Sequence, residues 1–342
     1  MKAIVFSEHG GPEVLRYTEV PEPKLGHGEV LVRVRACALN HLDLWVRKGL
    51  PGVQIPLPHI PGSDVSGEVA RVGEGVTRVK VGQKVVLAPG VSCNTCDDCL
   101  AGRDNQCRRY TILGYLIDGG CAEYVRVPEV NALFLPERLS FEEAAAVPLV
   151  FLTAWHMLVT RARLQPAEDV LVLGAGSGVG SAAVQIAKFH GARVFATAGS
   201  DPKLKKAQEL GADELINHAK QDIAEEVRKR TNKRGVDVVF EHVGQATWEK
   251  SLASLAAGGR LVTCGATTGG EVKIDIRRLF YLRWSLLGSF MGERRELLTI
   301  LRLVSRGVLK PVVDKVFPLD EAAQAHDYLE RREQFGKVVL KV

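Results

Sequence analysis

Residues 169–199 read DVLVLGAGSGVGSAAVQIAKFHGARVFATAG, and their pattern decides the fold. A short apolar run gives way to a glycine-rich turn, a helix of about a dozen residues and a second Val-containing strand, which together make a βαβ unit. In Gly174-Ala175-Gly176-Ser177-Gly178-Val179-Gly180 the glycines allow a sharp turn, let backbone N–H groups approach a pyrophosphate and let the helix pack closely on the strand. Phosphate charge would meet the positive end of the helix dipole at this point. Such a motif also serves in ordinary tight turns; the strand before it and the amphipathic helix after it favour the nucleotide reading. Apolar runs at DELIN, VDVVFEHVG, GRLVTCGA and WSLLGSF alternate with the amphipathic segments KLKKAQEL, IAEEVRKR and TWEKSLASLA. They extend the unit into a doubly wound parallel sheet, so the fold class is α/β.

Upstream the rhythm changes. Residues 1–150 alternate short Val-rich segments, EVLVRVRACAL, DVSGEVARVG, GQKVVLAPG and CAEYVRVP, with Gly and Pro. Period-two alternation between turn residues predicts a mostly antiparallel β-domain. The expected organisation is a β-domain over 1–150, a nucleotide-binding domain over 151–290, and a segment 291–342 that returns to the first domain. A length of 342 residues, beyond what one hydrophobic core usually serves, agrees with two domains.

Four of the seven cysteines, Cys93, Cys96, Cys99 and Cys107, are spaced Cys-x2-Cys-x2-Cys-x7-Cys. Two-residue gaps let a tight loop turn successive sulfurs onto one centre, and Gly90, Asn94, Asp97, Asp98 and Gly102 supply turn residues. The alternative, a pair of disulfides, requires an oxidising compartment. Four thiolates close a Zn²⁺ tetrahedron and leave no position for water or substrate, so this metal is expected to be structural. Cys37, Cys121 and Cys264 lie in apolar surroundings and read as small core residues.

Hydrophobic residues make up 46% and charged residues 25% of the chain, ordinary values for a globular protein. No run approaches the roughly 18 apolar residues of a membrane span, and MKAIVFSEHG begins like a strand rather than a signal peptide. A cytoplasmic protein without a membrane partner is expected. The net charge of +5 is spread too evenly for a nucleic-acid footprint, but a mildly basic cleft would suit a phosphorylated cofactor. Cofactor choice is read at the end of the second strand, where an acid grips the ribose hydroxyls of NAD and small or basic residues admit the phosphate of NADP. Ala198 stands at the acid's place, followed by Ser200 and Lys203. NADP(H) is favoured; NAD(H) stays open through the neighbouring Asp201, and Lys203 also reads as a solvated helix residue.

A β-domain with this cysteine lobe, then VLGAGSGVG, DVVFEHVG and a closing FGKVVL, resembles the medium-chain dehydrogenase/reductase superfamily over essentially the whole chain. The resemblance implies a GroES-like catalytic domain, a Rossmann domain, a cleft between them, and homodimers or homotetramers. It also implies that Glu241, His242, Gly265, Ala266, Ser289 and Phe290 line the nicotinamide end, that His41 meets the pyrophosphate, that His218 approaches the adenosine phosphate and that Lys337 lies near the cofactor phosphates. His41 and His218 read equally as ordinary polar side chains.

Zinc alcohol dehydrogenases of this superfamily carry a second, catalytic zinc. Its cysteine ligand falls in a segment resembling GVCHTD, where this chain has Ala38-Leu39-Asn40-His41-Leu42-Asp43, and its histidine ligand in a GHE triplet, where this chain has Gly62-Ser63-Asp64. The third ligand should lie in Pro148–Leu152, which holds none, and Leu42 replaces the proton-relaying hydroxyl. Without a Lewis acid, direct alcohol oxidation loses several kcal/mol of alkoxide stabilisation. A quinone or α,β-unsaturated carbonyl needs less, because the charge goes to an enolate or phenolate oxygen that hydrogen bonds can hold.

The segment NHLDLWVRKG resembles the zinc-independent quinone oxidoreductase and enoyl reductase branch. The candidate catalytic residues are Asn40 as a substrate or ribose hydrogen-bonder, Asp43 as an orienting group and Trp45 as cleft wall. Asn40 reads equally as a turn residue satisfying backbone groups, and Trp45 as core. The expected substrate is a small carbonyl, enone or quinone. One rival is an alcohol dehydrogenase with an altered metal site built from His59, Asp64, Asp43 and Cys37. The other is a non-catalytic NADPH-binding protein.

Overall fold

The computed structural model describes residues 1–342, which divide into two compact units, Met1–Leu149 with Glu293–Val342, and Val150–Gly292. In the second unit the apolar runs form six parallel strands, Asp169–Val172, Arg193–Ala198, Glu214–Asn217, Val236–Glu241, Leu255–Thr263 and Ser285–Gly288. Numbered along the unit, their order across the sheet is 3-2-1-4-5-6, the doubly wound arrangement of a Rossmann sheet. The first strand is buried at every position, as expected where helices cover both faces. The strand foreseen in GRLVTCGA begins earlier, at Leu255, and runs through AAGG, where Gly258 takes a φ of +77°.

The first unit is built on a seven-stranded, mainly antiparallel sheet. Its long strand Glu29–Ala38 pairs with Asp64–Val72, Tyr124–Pro128 and the C-terminal strand Lys337–Lys341. The inward side chains Val30, Val32, Val34, Val65, Val69, Val85, Leu87, Val125, Val338 and Leu340 form one core. The C-terminal segment contributes the helix Arg294–Ser305, the strand Val313–Pro318, the helix Ala322–Glu330 and the last strand, which lies between Val313–Pro318 and Glu29–Ala38. The chain's end is therefore an interior strand of the first unit.

The helical run Phe141–Arg161 is long and apolar enough, by length and composition, to cross a membrane. Its most apolar window is 78% buried within the protein, so it packs as a core helix.

Candidate active site and zinc lobe

The zinc lobe grows from a short antiparallel pair, Gly90–Val91 with Thr111–Ile112, which closes its base. Above it the sulfurs of Cys93, Cys96, Cys99 and Cys107 lie within 4.8 Å of one another. Cys93 Sγ and Cys96 Sγ stand 3.8 and 3.5 Å from Cys99 Sγ. An ideal tetrahedron with Zn–S near 2.3 Å has sulfurs about 3.8 Å apart, so the donor set fits zinc. Backbone N–H groups already point at the sulfurs: Cys96 N donates to Cys93 Sγ (3.3 Å) and Arg109 N to Cys107 Sγ (3.4 Å). Hydrogen bonds from Thr95 lead the influences that hold the Cys93 thiol at about 5, in the thiolate range at neutral pH. Arg294, at the start of the helix Arg294–Ser305, fastens the lobe: its Nη2 donates to Asn94 Oδ1 (3.0 Å) and its backbone N to Asp104 Oδ1 (2.9 Å).

In the second unit the glycine turn connects the first strand to the helix Gly178–Phe189. Gly174 has a φ of +56°, and a Cβ on Gly180 would lie 2.3 Å from the Gly174 carbonyl oxygen, so both positions exclude a side chain. Ser177 caps the helix, its Oγ accepting from Gly180 N (2.9 Å). Gly176, Gly178 and Val179 complete this turn and the first helical residues. This cradle fits a dinucleotide pyrophosphate at a helix N-terminus.

Beside the turn, His242 Nε2 lies 2.8 Å from Leu173 O and 3.4 Å from Ser177 Oγ; burial lowers its affinity for a proton, so the neutral ring is favoured. Glu241 is fully buried, and its carboxylate accepts from Val243 N (2.6 Å), Gly244 N (3.1 Å), Thr247 Oγ1 (2.9 Å) and Ser251 Oγ (2.6 Å). It anchors its own loop. That loop packs on the next: a Cβ on Gly244 would lie 2.9 Å from Ala266 Cα, and Thr263 Oγ1 donates to Gly265 O. Ser289 N donates to Thr263 O, while Ser289 Oγ is buried without a hydrogen-bond partner, and Phe290 is exposed. The carboxyl ends of the first, fourth and fifth strands thus bring Gly174–Gly180, Glu241, His242, Gly265 and Ala266 together.

A second cluster lies at the ends of the strands Arg193–Ala198 and Glu214–Asn217. A Cβ on Gly199 would meet His218 Nε2 at 3.2 Å, and Ser200 is the N-cap of the helix Asp201–Glu209 that carries Lys203. Partial desolvation, then the charges of Lys250 and Lys203, lower the proton affinity of His218. Asp201 is turned to Asn217 and Lys220 (2.5 and 2.7 Å). Lys250, on the helix Trp248–Ser254, is a basic member that sequence reading missed, because it lies more than 30 residues beyond His218 with no motif to mark it.

The first unit holds a different kind of site. Asn40 caps the helix His41–Lys48, which carries His41, Asp43 and Trp45. Asp43 is fully buried, its carboxylate accepting from Asn40 N (2.7 Å) and Gly62 N (2.9 Å). Burial outweighs those bonds and raises the carboxyl to about 6. His41 and the half-buried Trp45 meet edge to face with centroids 6.2 Å apart.

The Asn40 amide is spent internally, with Nδ2 donating to Asp64 Oδ2 (3.0 Å) and Oδ1 accepting from Lys337 Nζ (2.5 Å). These partners are charged side chains, whereas the turn-residue reading of Asn40 has it satisfying backbone groups. Lys337, expected near the cofactor phosphates, is 3% exposed and also donates to Asp64 Oδ2 (2.8 Å).

The altered metal site does not assemble. Asp64 is taken by Lys337, Asn40 and Leu149 N (2.8 Å), Asp43 by two backbone N–H groups, and Cys37 Sγ faces Cys121 Sγ (3.7 Å). His59 Nδ1 lies 3.9 Å from Asp118 Oδ1. His59 Nε2 is buried without a hydrogen-bond partner, but Asp64, Asp43 and Cys37 are engaged elsewhere, and the four do not come together as a metal-ligating group.

Residues 26–137 match the family model described as an alcohol dehydrogenase GroES-like domain, and residues 178–306 the one described as a zinc-binding dehydrogenase. The chain is 36% identical, with both proteins covered in full, to an NAD-dependent alcohol dehydrogenase of Sulfolobus acidocaldarius. The chain belongs to the medium-chain dehydrogenase/reductase superfamily. Within this superfamily it is also 33% identical to a quinone oxidoreductase of Rattus norvegicus, over 99% of this chain and 97% of that protein. A solved structure of an NAD-dependent alcohol dehydrogenase matches it with a TM-score of 0.97 at 51% identity, both chains covered in full. As a member of the superfamily the chain is an NAD(P)-dependent oxidoreductase of small molecules, with a GroES-like domain, a Rossmann domain and a structural zinc lobe.

Proposed function

We propose that the enzyme uses NADPH to reduce quinones or α,β-unsaturated carbonyl compounds, by direct hydride transfer and without a catalytic zinc. One observation carries the reading: where zinc alcohol dehydrogenases place catalytic ligands, this chain has Asn40 and Ser63, and a buried Lys337–Asp64–Asn40 network in place of a metal-ligand set. NADP(H) is supported by the absence of an acid at Ala198 and by Lys203, His218 and Lys250 near Ser200.

The nicotinamide, when bound, supplies the hydride. The glycine turn and the N-terminus of Gly178–Phe189 hold its pyrophosphate, and the loops anchored by Glu241 and Thr263 position the surrounding backbone. Asp43 orients the helix that presents His41 and Trp45. Protonation of the resulting enolate is left to water, since reduction of such acceptors needs no dedicated protein acid. A homodimer or homotetramer belongs to the same reading.

The second reading, an alcohol dehydrogenase with an atypical site, is favoured by the name of the 51% identical structure. NADPH oxidation with a panel of naphthoquinones and enones, each run with and without chelator, separates the two. Turnover of activated acceptors that survives brief chelation supports the proposal. Alcohol-dependent NAD⁺ reduction that chelator abolishes, with no turnover of quinones or enones, would establish the dehydrogenase. Cofactor binding without turnover of either class would leave a non-catalytic NADPH-binding protein.

A further inference from the structure

Within the second unit, His242 is built against the glycine turn. Its Nε2 lies 2.8 Å from Leu173 O and 3.4 Å from Ser177 Oγ, and a Cβ on Gly174 would meet the ring at Cε1 (3.2 Å) and Nε2 (3.3 Å). A carbonyl oxygen only accepts, so Nε2 carries the proton of the neutral ring. The imidazole thus fills the space that a side chain on Gly174 would need, and pairs the carbonyl just before it. Phe240 O accepts Leu173 N–H (3.2 Å), so the strand Val236–Glu241 and the residue after it hold both polar backbone groups of Leu173.

Other donors of the turn are spent within the chain. Gly174 N donates to Thr197 Oγ1 (3.1 Å), Ala175 N to Thr197 O (2.8 Å), Ser177 N to Gly174 O (2.9 Å) and Gly180 N to Ser177 Oγ (2.9 Å). The N–H groups of Gly176, Gly178 and Val179 have no partner in the chain. They are the donors left for a phosphate, and their directions depend on Gly174 keeping its φ of +56°. Without His242 the Leu173 carbonyl would lose its donor and Gly174 its backing, both at the residue where the turn begins.

We propose that His242 is a positioning residue of the pyrophosphate cradle: its Nε2–H and ring hold Leu173 and Gly174 so that the three free N–H groups are set before the dinucleotide arrives. Such preorganisation raises affinity because the turn is not ordered at the expense of binding. The role differs from the one the family resemblance implies, which puts His242 at the nicotinamide end. The inference rests on the cradle described above and holds whichever acceptor the enzyme reduces.

The test is calorimetric titration of the full-length protein with the whole dinucleotide, with ADP-ribose, which keeps the pyrophosphate and lacks the nicotinamide, and with AMP, which lacks both. All are used in their 2′-phosphorylated forms if the parent binds NADPH more tightly than NADH, so an error in that assignment leaves the test intact. His242→Ala should weaken the dinucleotide and ADP-ribose by the same factor, at least about tenfold, and AMP by no more than about twofold. His242→Gln, whose amide can donate in place of Nε2–H, should recover affinity to within about threefold of the parent. A loss confined to the dinucleotide would place His242 at the nicotinamide and overturn the proposal. An equal loss for all three probes would overturn it as well, since the whole unit would then be disturbed. So would unchanged binding in His242→Ala, or failure of His242→Gln to recover the loss.

Discussion

Asp43 is the residue whose titration should be visible in solution. Its carboxyl is raised to about 6 by burial, so between about pH 4 and pH 6 the folded chain holds a proton that the unfolded chain has released. Stability contributed by this group is therefore present at acid pH and lost as pH rises through that window, by about 3 kcal/mol in total. Asp43→Asn should remove that slope: urea unfolding at pH 4.5, 5.5 and 6.5 should show the difference between parent and variant changing with pH. A constant difference would mean that Asp43 does not titrate there. Ser200 tests cofactor choice. Ser200→Asp places a carboxylate near Lys203 and His218, and should weaken NADPH at least about tenfold relative to NADH in apparent KM. Asp is also a good N-cap for the helix Asp201–Glu209, so the fold should tolerate it. An unchanged ratio of cofactor KM values would put the phosphate pocket elsewhere.

Among the elements, the Glu241 loop and the zinc lobe are held by opposite devices. The loop is pinned by a single carboxylate that accepts four hydrogen bonds, two from backbone N–H groups and two from hydroxyls. Glu241→Ala leaves those donors unpaired and should cost about 3 kcal/mol or more. Glu241→Gln should cost less, because the Thr247 and Ser251 hydroxyls can rotate to accept from the amide. Equal losses in urea unfolding would show that the hydroxyls contribute nothing.

The zinc lobe depends on its metal and on Arg294, since its short strands bury little apolar surface. Cys96→Ser should lose zinc and thermal stability together, and elemental analysis finding full zinc in that variant would contradict the ligand assignment. Both devices were only half visible in the sequence. The cysteine spacing is a local pattern, whereas Arg294 lies 190 residues from the Asp104 it meets.

At the scale of the whole molecule, metal content and cofactor linkage are the quantities to measure. One zinc per chain is expected, carried by the four cysteines, because Lys337, Asn40 and Asp64 are committed to one another. Elemental analysis of protein purified without added metal or chelator checks this, and two zincs per chain would restore the alcohol dehydrogenase reading. NADPH at a hundredfold excess over its dissociation constant should stabilise the folded state by about 2.7 kcal/mol. At equal concentrations it should raise Tm more than NADH does. A larger shift with NADH would reverse the cofactor assignment.

The sequence by itself determined the features that are local along the chain. These are the βαβ unit around Gly174–Gly180, the Val-rich alternation of the first unit, the thiolate spacing, and the loss of zinc ligands at Asn40 and Ser63. The first three follow from periodicity or spacing within a few tens of residues, and the last is what the resemblance to zinc alcohol dehydrogenases implies. Only the tertiary structure decided how the polar side chains are spent. Asn40 reads as a substrate hydrogen-bonder or a turn residue until Lys337, 297 residues away, is seen on its oxygen. Glu241 reads as a site carboxylate until Ser251 and Thr247 are found on it. A buried polar group must find a partner, and which partner it finds is fixed by the packing of segments far apart in sequence.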